Sequence, residues 1–193
     1  MPFVGDADVE VKQLDAKNWE LLAPLRYEGK FEPFDIPAGM RTDFASVPRP
    51  FVWLIPRYGT YTKAAILHDY LWRQHAKTGK MTWADADGIF RRAMRELGVA
   101  FLRRWITWSA VRMASLFTKR GGRTGWTDDI LQAIVFWLFG ILIVGPPGVL
   151  ILIALALFYL LEYAVWLVLS GARALRRAPP PKNINQPKLR LTL

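Results

Sequence analysis

The stretch from Thr60 to Leu97, which contains TKAAILHDYLWRQHAKTGKMTWADADGIFRRAMREL at residues 62–97, decides the fold of the chain. It predicts two helices joined by a short turn near Gly79, because apolar residues recur at helical spacing on either side of that glycine. Folding at the turn presses the two apolar faces together. The first face contains Ala64, Ala65, His68, Leu71, Trp72 and His75, and the second contains Trp83, Asp87, Phe90, Met94 and Leu97.

Two ionisable residues on these faces stand out, His68 on the first helix and Asp87 on the second. An ionised carboxylate is rarely buried alone, because its lost hydration has to be offset by a partner. We therefore predict a buried His68–Asp87 pair as the chemical centre of the protein. Asp85 has a different role, since Thr82 and Asp85 have the spacing of a capping box at the start of the second helix. Asp69 follows His68 directly and points to one side of the pair.

The composition limits the class of partner. The chain has 193 residues, no cysteine and a formal net charge of +10. Without cysteine, neither a disulfide nor a thiolate metal site can form. A charge of this size could indicate nucleic-acid binding, but many of the cations flank a long apolar block near the C-terminus. A membrane surface explains them better, so we expect a lipid bilayer as partner rather than nucleic acid.

The remaining soluble part predicts an α+β fold. Short strand-like runs precede residue 41, as in Leu25–Glu28, and indicate a small antiparallel sheet. Residues 98–118 predict a third helix, in which arginines lie among tryptophan and phenylalanine. That helix could lie at a membrane interface or pack in the core with its arginines reaching out to solvent. Sheet, helical hairpin and third helix together form a predicted soluble domain of residues 1–118.

The apolar block predicts a membrane hairpin over residues 130–169. Ile130–Val144 and Val149–Leu169 are apolar and are separated by Gly145-Pro146-Pro147-Gly148. The second arm is long enough to cross a bilayer, and Glu162 within it is expected to face protein or the interface. Cations lie on both flanks and none in the turn, so the positive-inside rule predicts that both termini are cytoplasmic. A basic linker, 119–129, precedes the block, and a basic, Pro-rich tail, 170–193, follows it and is expected to be disordered.

The segment TDFASVPRP at residues 42–50 permits two interpretations. Asp43 and Ser46 lie among apolar neighbours and two prolines, which is typical of a tight structural loop whose side chains bond backbone amides. Alternatively, the loop packs against the helical hairpin and supplies backbone carbonyls or Asp43 to a site. Short Asp/Ser loops are common, which favours the first interpretation. A Ser46–His68–Asp87 triad is conceivable, although the Gly-x-Ser-x-Gly elbow is absent.

Three sequence blocks carry a resemblance to a known family. TDFASVP at residues 42–48, AAILHDYLW at 64–72 and ADGIFRRAM at 86–94 resemble, in this order, the signature of a phage and prophage family of domains of unknown function. The resemblance covers roughly residues 8–115. It implies a phage or prophage origin and supplies no activity.

A more distant resemblance implies chemistry. Ala-Ala-x-x-His-Asp-x-x-aromatic, followed by Ala-Asp-x-x-Phe, is similar to the catalytic helix pair of secreted and parvovirus-capsid phospholipases A2. The resemblance implies that His68 is a general base for water, that Asp87 orients it, and that Asp69 binds calcium, which would polarise the ester carbonyl. The cysteines and the Gly-rich calcium loop of most such enzymes are absent. Thr42–Pro50 or Arg57–Thr60 would have to replace that loop.

Two functions follow from these expectations. The first is a phage-type hydrolase of phospholipid acyl esters, dependent on calcium and anchored in the inner membrane of a bacterial host. The second is a non-enzymatic phage protein, located in the host membrane or in a virion, that uses the domain for interaction. In the second function the His68–Asp87 pair only locks two helices, since such pairs are structural as well as catalytic.

Overall fold

The computed structural model of the protein describes residues 3–4, 8–45, 47–117, 129–175 and 186–187. Within these residues five short strands precede four α-helices, and the fold is α+β as predicted. The strands form two small antiparallel sheets. The first has the order β1 (Val11–Gln13), β2 (Trp19–Leu21), β5 (Arg41–Thr42), and the second pairs β3 (Leu25–Glu28) with β4 (Pro33–Ile36).

The β3–β4 hairpin supplies one wall of the core. Side chains alternate between the two faces of a strand, and here every second residue is buried while those between are exposed. The buried residues are Leu25, Tyr27, Phe34 and Ile36.

The predicted helical hairpin is present. α1 (Thr62–Tyr70) continues into a π-helical segment, Leu71–Ala76, and α2 (Trp83–Glu96) follows after a turn. Gly79 in that turn has φ +78°, a conformation that glycine adopts at no steric cost. Thr82 caps α2 as predicted, because its Oγ1 accepts the N–H of Asp85 at 3.1 Å.

The third predicted helix is α3 (Phe101–Phe117), and it packs between α2 and α4. Trp108, Arg112 and Ser115 recur at helical spacing on its buried face. Of the two sequence-based interpretations, a core helix therefore describes most of its length. Phe101 and Leu102 in its first turn are exposed.

The C-terminal apolar block is one continuous helix, α4 (Ile130–Leu175), and the turn predicted at Gly145–Gly148 is not present. Pro146 and Pro147 lack the N–H groups that would bond to carbonyls four residues earlier, but their φ is close to the helical value, so the helix continues through them. By length and composition, Ile130–Arg173 could cross a membrane.

α4 has two halves with different surroundings. In the proximal half, residues 130–148, one face is buried against α3 and the 3₁₀ turn Arg49–Phe51. In the distal half, residues 149–173, no side chain is buried, and Glu162 is exposed. The buried residues of the proximal half are Ile130, Ala133, Gly140, Val144 and Gly148.

Candidate functional site

His68 on α1 and Asp87 on α2 face each other across the helical hairpin. Nε2 of His68 lies 2.8 Å from Oδ1 of Asp87, and Asp87 is fully buried. Because an ionised carboxylate only accepts hydrogen bonds, a neutral imidazole that pairs with it donates from Nε2–H and carries its lone pair on Nδ1. The predicted contact is therefore present, while its catalytic role stays a prediction.

The other oxygen of Asp87 is held by α3. Oγ of Ser115, itself buried, donates to Oδ2 of Asp87 at 3.0 Å. The His68 ring lies against the ring of Phe90, with 4.8 Å between their centroids. One carboxylate thus joins three helices and fixes the orientation of the imidazole.

The His68 ring also lines a cavity of about 510 Å³, a size typical of small-molecule sites. Within the part of the chain that the structure describes, Nδ1 of His68 makes no hydrogen bond. Two further hollows, of about 600 and 740 Å³, include neither member of the pair. The cavity is mostly apolar, and its α4 wall consists of Trp137, Gly140, Ile141 and Val144.

The loop that follows β5 lies against α1, while the contribution of Asp43 or of loop carbonyls to a site stays a prediction. Oγ1 of Thr42 donates to Oδ2 of Asp69 at 2.7 Å and accepts the N–H of Phe44 at 2.9 Å. Phe44 has φ +59°, which is strained for a bulky residue and is a conformation found preferentially at functional sites. Asp43 lines the same cavity as His68 and Asp69. Ser46 lies outside the described residues, and so does the conceivable triad that includes it.

Asp69 is not part of the His68–Asp87 pair, and its environment disfavours the ionised carboxylate. Burial raises the pKa of its carboxyl group to about 6. The hydrogen bond from Thr42 and the guanidinium of Arg73 lower this pKa, whereas the charge of Asp43 raises it further. Asp69 therefore changes its charge nearer to neutral pH than an ordinary aspartate does.

The surroundings of Asp69 do not fit the calcium ion that the phospholipase resemblance implies. Oδ2 of Asp69 accepts a hydrogen bond from Thr42 and lies 3.7 Å from Nη2 of Arg73. Calcium takes six to eight oxygen ligands. The described residues contain no group of three or more His, Cys, Asp or Glu side chains that could hold a metal ion. Calcium binding by Asp69 stays a prediction, and none of the chemistry proposed for the protein depends on it.

Sequence reasoning missed two polar residues of α3. Ser115 shares a helix face with Trp108 and Arg112, and this spacing could have predicted a buried hydroxyl in need of a partner. Thr107 lines the cavity, and its buried Oγ1 has no hydrogen-bond partner among the described residues. No local pattern distinguishes Thr107, because its setting depends on the loop and on α4.

Comparison with known proteins finds a match to a family model that carries no activity. Residues 19–111 match the family described as "Protein of unknown function (DUF1353)". The matched part runs from β2 into α3 and excludes α4. No curated protein and no solved structure matches the chain. The match supports a domain of unknown function, while the phage or prophage association implied by the three sequence blocks stays a prediction.

Proposed function

We propose that the protein is a membrane-anchored hydrolase of phospholipid acyl esters, with His68 as general base. The observation that carries the proposal is the setting of His68. Asp87 holds its Nε2 at 2.8 Å, its Nδ1 has no partner within the described residues, and its ring lines a mostly apolar cavity that α4 completes. A base beside an apolar cavity suits a substrate with a reactive polar group on an apolar chain.

The reaction follows from the lone pair on Nδ1. Nδ1 takes a proton from water while the water oxygen bonds to the ester carbonyl carbon. The tetrahedral intermediate then collapses, the bond from that carbon to the glycerol oxygen breaks, and the proton on Nδ1 passes to the leaving oxygen. The products are a fatty acid and a lysophospholipid. Asp87 stabilises the imidazolium between the two proton transfers, as the carboxylate of other hydrolytic sites does.

The negative charge that develops on the carbonyl oxygen requires a hydrogen-bond donor. Thr107 is suited to this role, because it lines the cavity and its buried hydroxyl has no partner among the described residues. Thr107→Val keeps the shape of the side chain and removes the donor. We expect turnover to fall roughly a hundredfold, with an unchanged melting temperature.

The distal half of α4 supplies the anchor in this proposal. Val149–Leu169 is roughly 30 Å long at about 1.5 Å per residue, which matches the hydrocarbon thickness of a bilayer. Because α4 is continuous, we propose a single crossing. Reporter fusions after residue 123 and after Leu193 then report opposite compartments, whereas the same compartment would restore the predicted hairpin with both termini cytoplasmic.

We also propose a phage or prophage origin and action at the inner membrane of the bacterial host. The resemblance of the three sequence blocks to a phage and prophage family supports the origin. The arginines and lysines between α3 and α4 support a cytoplasmic position for the domain.

A non-enzymatic interaction protein is the second candidate, and one observation favours it. The Asp87 carboxylate accepts hydrogen bonds from both His68 and Ser115, which is also what a purely structural clamp between three helices would do. In that case the cavity is a packing defect or a contact surface, and no ester is cleaved.

The two candidates are separated by hydrolysis in ¹⁸O-labelled water. The full-length protein in mixed micelles of phospholipid and detergent is expected to release lysophospholipid and a fatty acid with one ¹⁸O atom. His68→Gln is the matched variant, because its amide can donate to Asp87 but has no basic nitrogen. Equal rates for His68→Gln and wild type would exclude His68 as the base. A wild-type protein that cleaves no phospholipid, with or without added calcium, would favour the interaction protein.

A further inference from the structure

The proximal half of α4 has an apolar face that no part of the described protein covers. Opposite its buried face, large apolar side chains recur every three or four residues and are between 49% and 70% exposed. Monomeric proteins in water rarely leave an apolar stripe of this length uncovered. The residues of this stripe are Leu131, Val135, Leu138 and Leu142.

The first turn of α3 carries a second exposed apolar area. Phe101 and Leu102 are exposed, and the Phe101 ring lies 6.1 Å from the ring of Phe136 on α4. Arg103 and Arg104 follow directly, and α3 contains no acidic residue. Apolar side chains with arginines beside them are typical of helices that lie in a membrane interface.

We propose that these residues form a lipid-binding surface, on which the domain lies along the bilayer. We call the α4 stripe together with Phe101 and Leu102 the outer surface. Two observations favour lipid as its occupant. α4 continues without a break from this surface into the distal half, whose side chains are all unburied. Arg103 and Arg104 at its edge complement anionic headgroups.

The outer surface and the distal half require different orientations in the bilayer. The proximal half lies in the interface, whereas the distal half crosses the hydrocarbon. Pro146 and Pro147 are located between the two, where missing N–H groups make a bend in the helix least costly. The inference thus rests on the proposed membrane span and not on the proposed hydrolysis.

This placement connects the bilayer with the cavity. Several residues of the cavity wall are exposed and mark its opening, and Ile141 among them is adjacent to Leu142 of the outer surface. On this proposal, the opening faces the bilayer and a lipid chain enters the cavity through it. The exposed wall residues are Pro48, Phe51, Ala110, Ala114 and Ile141.

The absence of cysteine from the sequence permits a direct test with single labels. The full-length protein, with a spin label on Leu138→Cys, is placed in vesicles of neutral and anionic phospholipid. Collision with lipid-soluble oxygen and with a water-soluble nickel chelate is then measured. Leu22→Cys is the matched control, since Leu22 is 52% exposed on the sheet side and Leu138 is 54% exposed. Leu161→Cys reports on the distal half.

We expect the label at Leu138 to collide severalfold more with oxygen than with nickel, like the label at Leu161, and the label at Leu22 to show the reverse. If the label at Leu138 behaves like that at Leu22, the outer surface is in water and the inference is wrong. If it is shielded from both reagents, protein such as a second copy covers the surface, and the inference is again wrong. A label at Leu161 in water would instead overturn the membrane span itself.

Discussion

The two halves of α4 are similarly apolar but have different partners. In the proximal half, Phe136 stacks on Trp105 of α3 with 4.6 Å between ring centroids, and Gly140 packs against Ile106. In the distal half no side chain is buried. The difference arises from α3 and the 3₁₀ turn, not from α4 itself. Apolar composition therefore does not distinguish a helix that completes a core from a helix that crosses a bilayer.

The largest expected effect on thermal stability comes from deleting both halves of α4 instead of the distal half alone. Among the described residues, a chain that ends after Gly148 loses no buried side chain, and we expect it to unfold in mild detergent at nearly the temperature of the full chain. A chain that ends after residue 123 loses Ala133, which belongs to the core, and Asp129, which lies 3.8 Å from Nε of buried Arg112. We expect it to show no cooperative thermal transition by circular dichroism.

Carbonate extraction of membranes sharpens the same comparison. The chain that ends after Gly148 should be released from membranes, whereas the full chain should stay in them. A normal melting curve for the chain that ends after residue 123 would restore the independent soluble domain of residues 1–118 predicted from the sequence. It would also make the packing of the proximal half irrelevant to the fold.

Substitutions of His68 test the site beneath the proximal half. His68→Ala leaves the buried Asp87 carboxylate without its imidazole partner, and we expect a loss of about 3–5 kcal/mol in the free energy of unfolding. His68→Gln keeps a donor for Asp87 and should retain most of that stability, while hydrolysis falls by a hundredfold or more. Chemical denaturation and fatty-acid release are measured on the same samples. Equal stability of the two variants would contradict a stabilising role for the hydrogen bond between residue 68 and the buried Asp87.

Substitution of Asp69 is expected to change the free energy of unfolding by a smaller amount, and in a way that depends on pH. Its pKa of about 6 in the folded protein is above the value of an unfolded aspartate, so the folded state keeps a proton that the unfolded state has lost. This contribution to stability is complete below pH 4 and is lost as the pH rises through 6. At pH 8, Asp69→Asn should therefore be more stable than wild type by up to about 3 kcal/mol. At pH 4 the difference should vanish, and an equal difference at both pH values would refute the raised pKa.

The smallest expected effect on stability comes from substituting one glycine in each half of α4. A Cβ at Gly140 would lie 3.0 Å from Cγ2 of Ile106, whereas a Cβ at Gly171 would have no neighbour within 4 Å. Gly140→Leu therefore overpacks the contact between α3 and α4 and should cost about 1–3 kcal/mol. Gly171→Leu should cost nothing measurable. Thermal unfolding in the same detergent compares them, and equal melting temperatures would mean that the proximal half is not packed on α3.

The sequence predicts those parts of the fold that depend on local patterns. Helical periodicity in both arms of the hairpin predicts α1, α2 and the contact between His68 and Asp87, because each helix has to bury its own apolar face. The Thr82 cap is predicted for a similar reason, since its partner is three residues away. These features need no knowledge of the rest of the chain.

The parts that depend on distant elements could not be predicted. Gly145-Pro146-Pro147-Gly148 is typical of a turn, yet the helix continues through it, and Gly148 lies against Pro50 of the 3₁₀ turn. The cavity exists only where the loop, α3 and α4 meet, so Thr107 has no signature in its own helix. The calcium site implied by resemblance also depends on oxygen ligands outside the motif. The described residues contain no group of three or more His, Cys, Asp or Glu side chains for it, and it stays a prediction.

The central claim is that a lipid chain enters the cavity between α3 and the proximal half of α4, beside His68. Photo-crosslinking tests it most directly, with a phospholipid that bears a diazirine in its acyl chain and with His68→Gln protein in vesicles. We predict adducts on α3 around Ala110 and Ala114, which line the cavity, in addition to adducts on the distal half, and we predict that Gly140→Leu removes those on α3. Adducts confined to Val149–Leu169 would show that lipid surrounds the anchor without entering the cavity, and would contradict the claim.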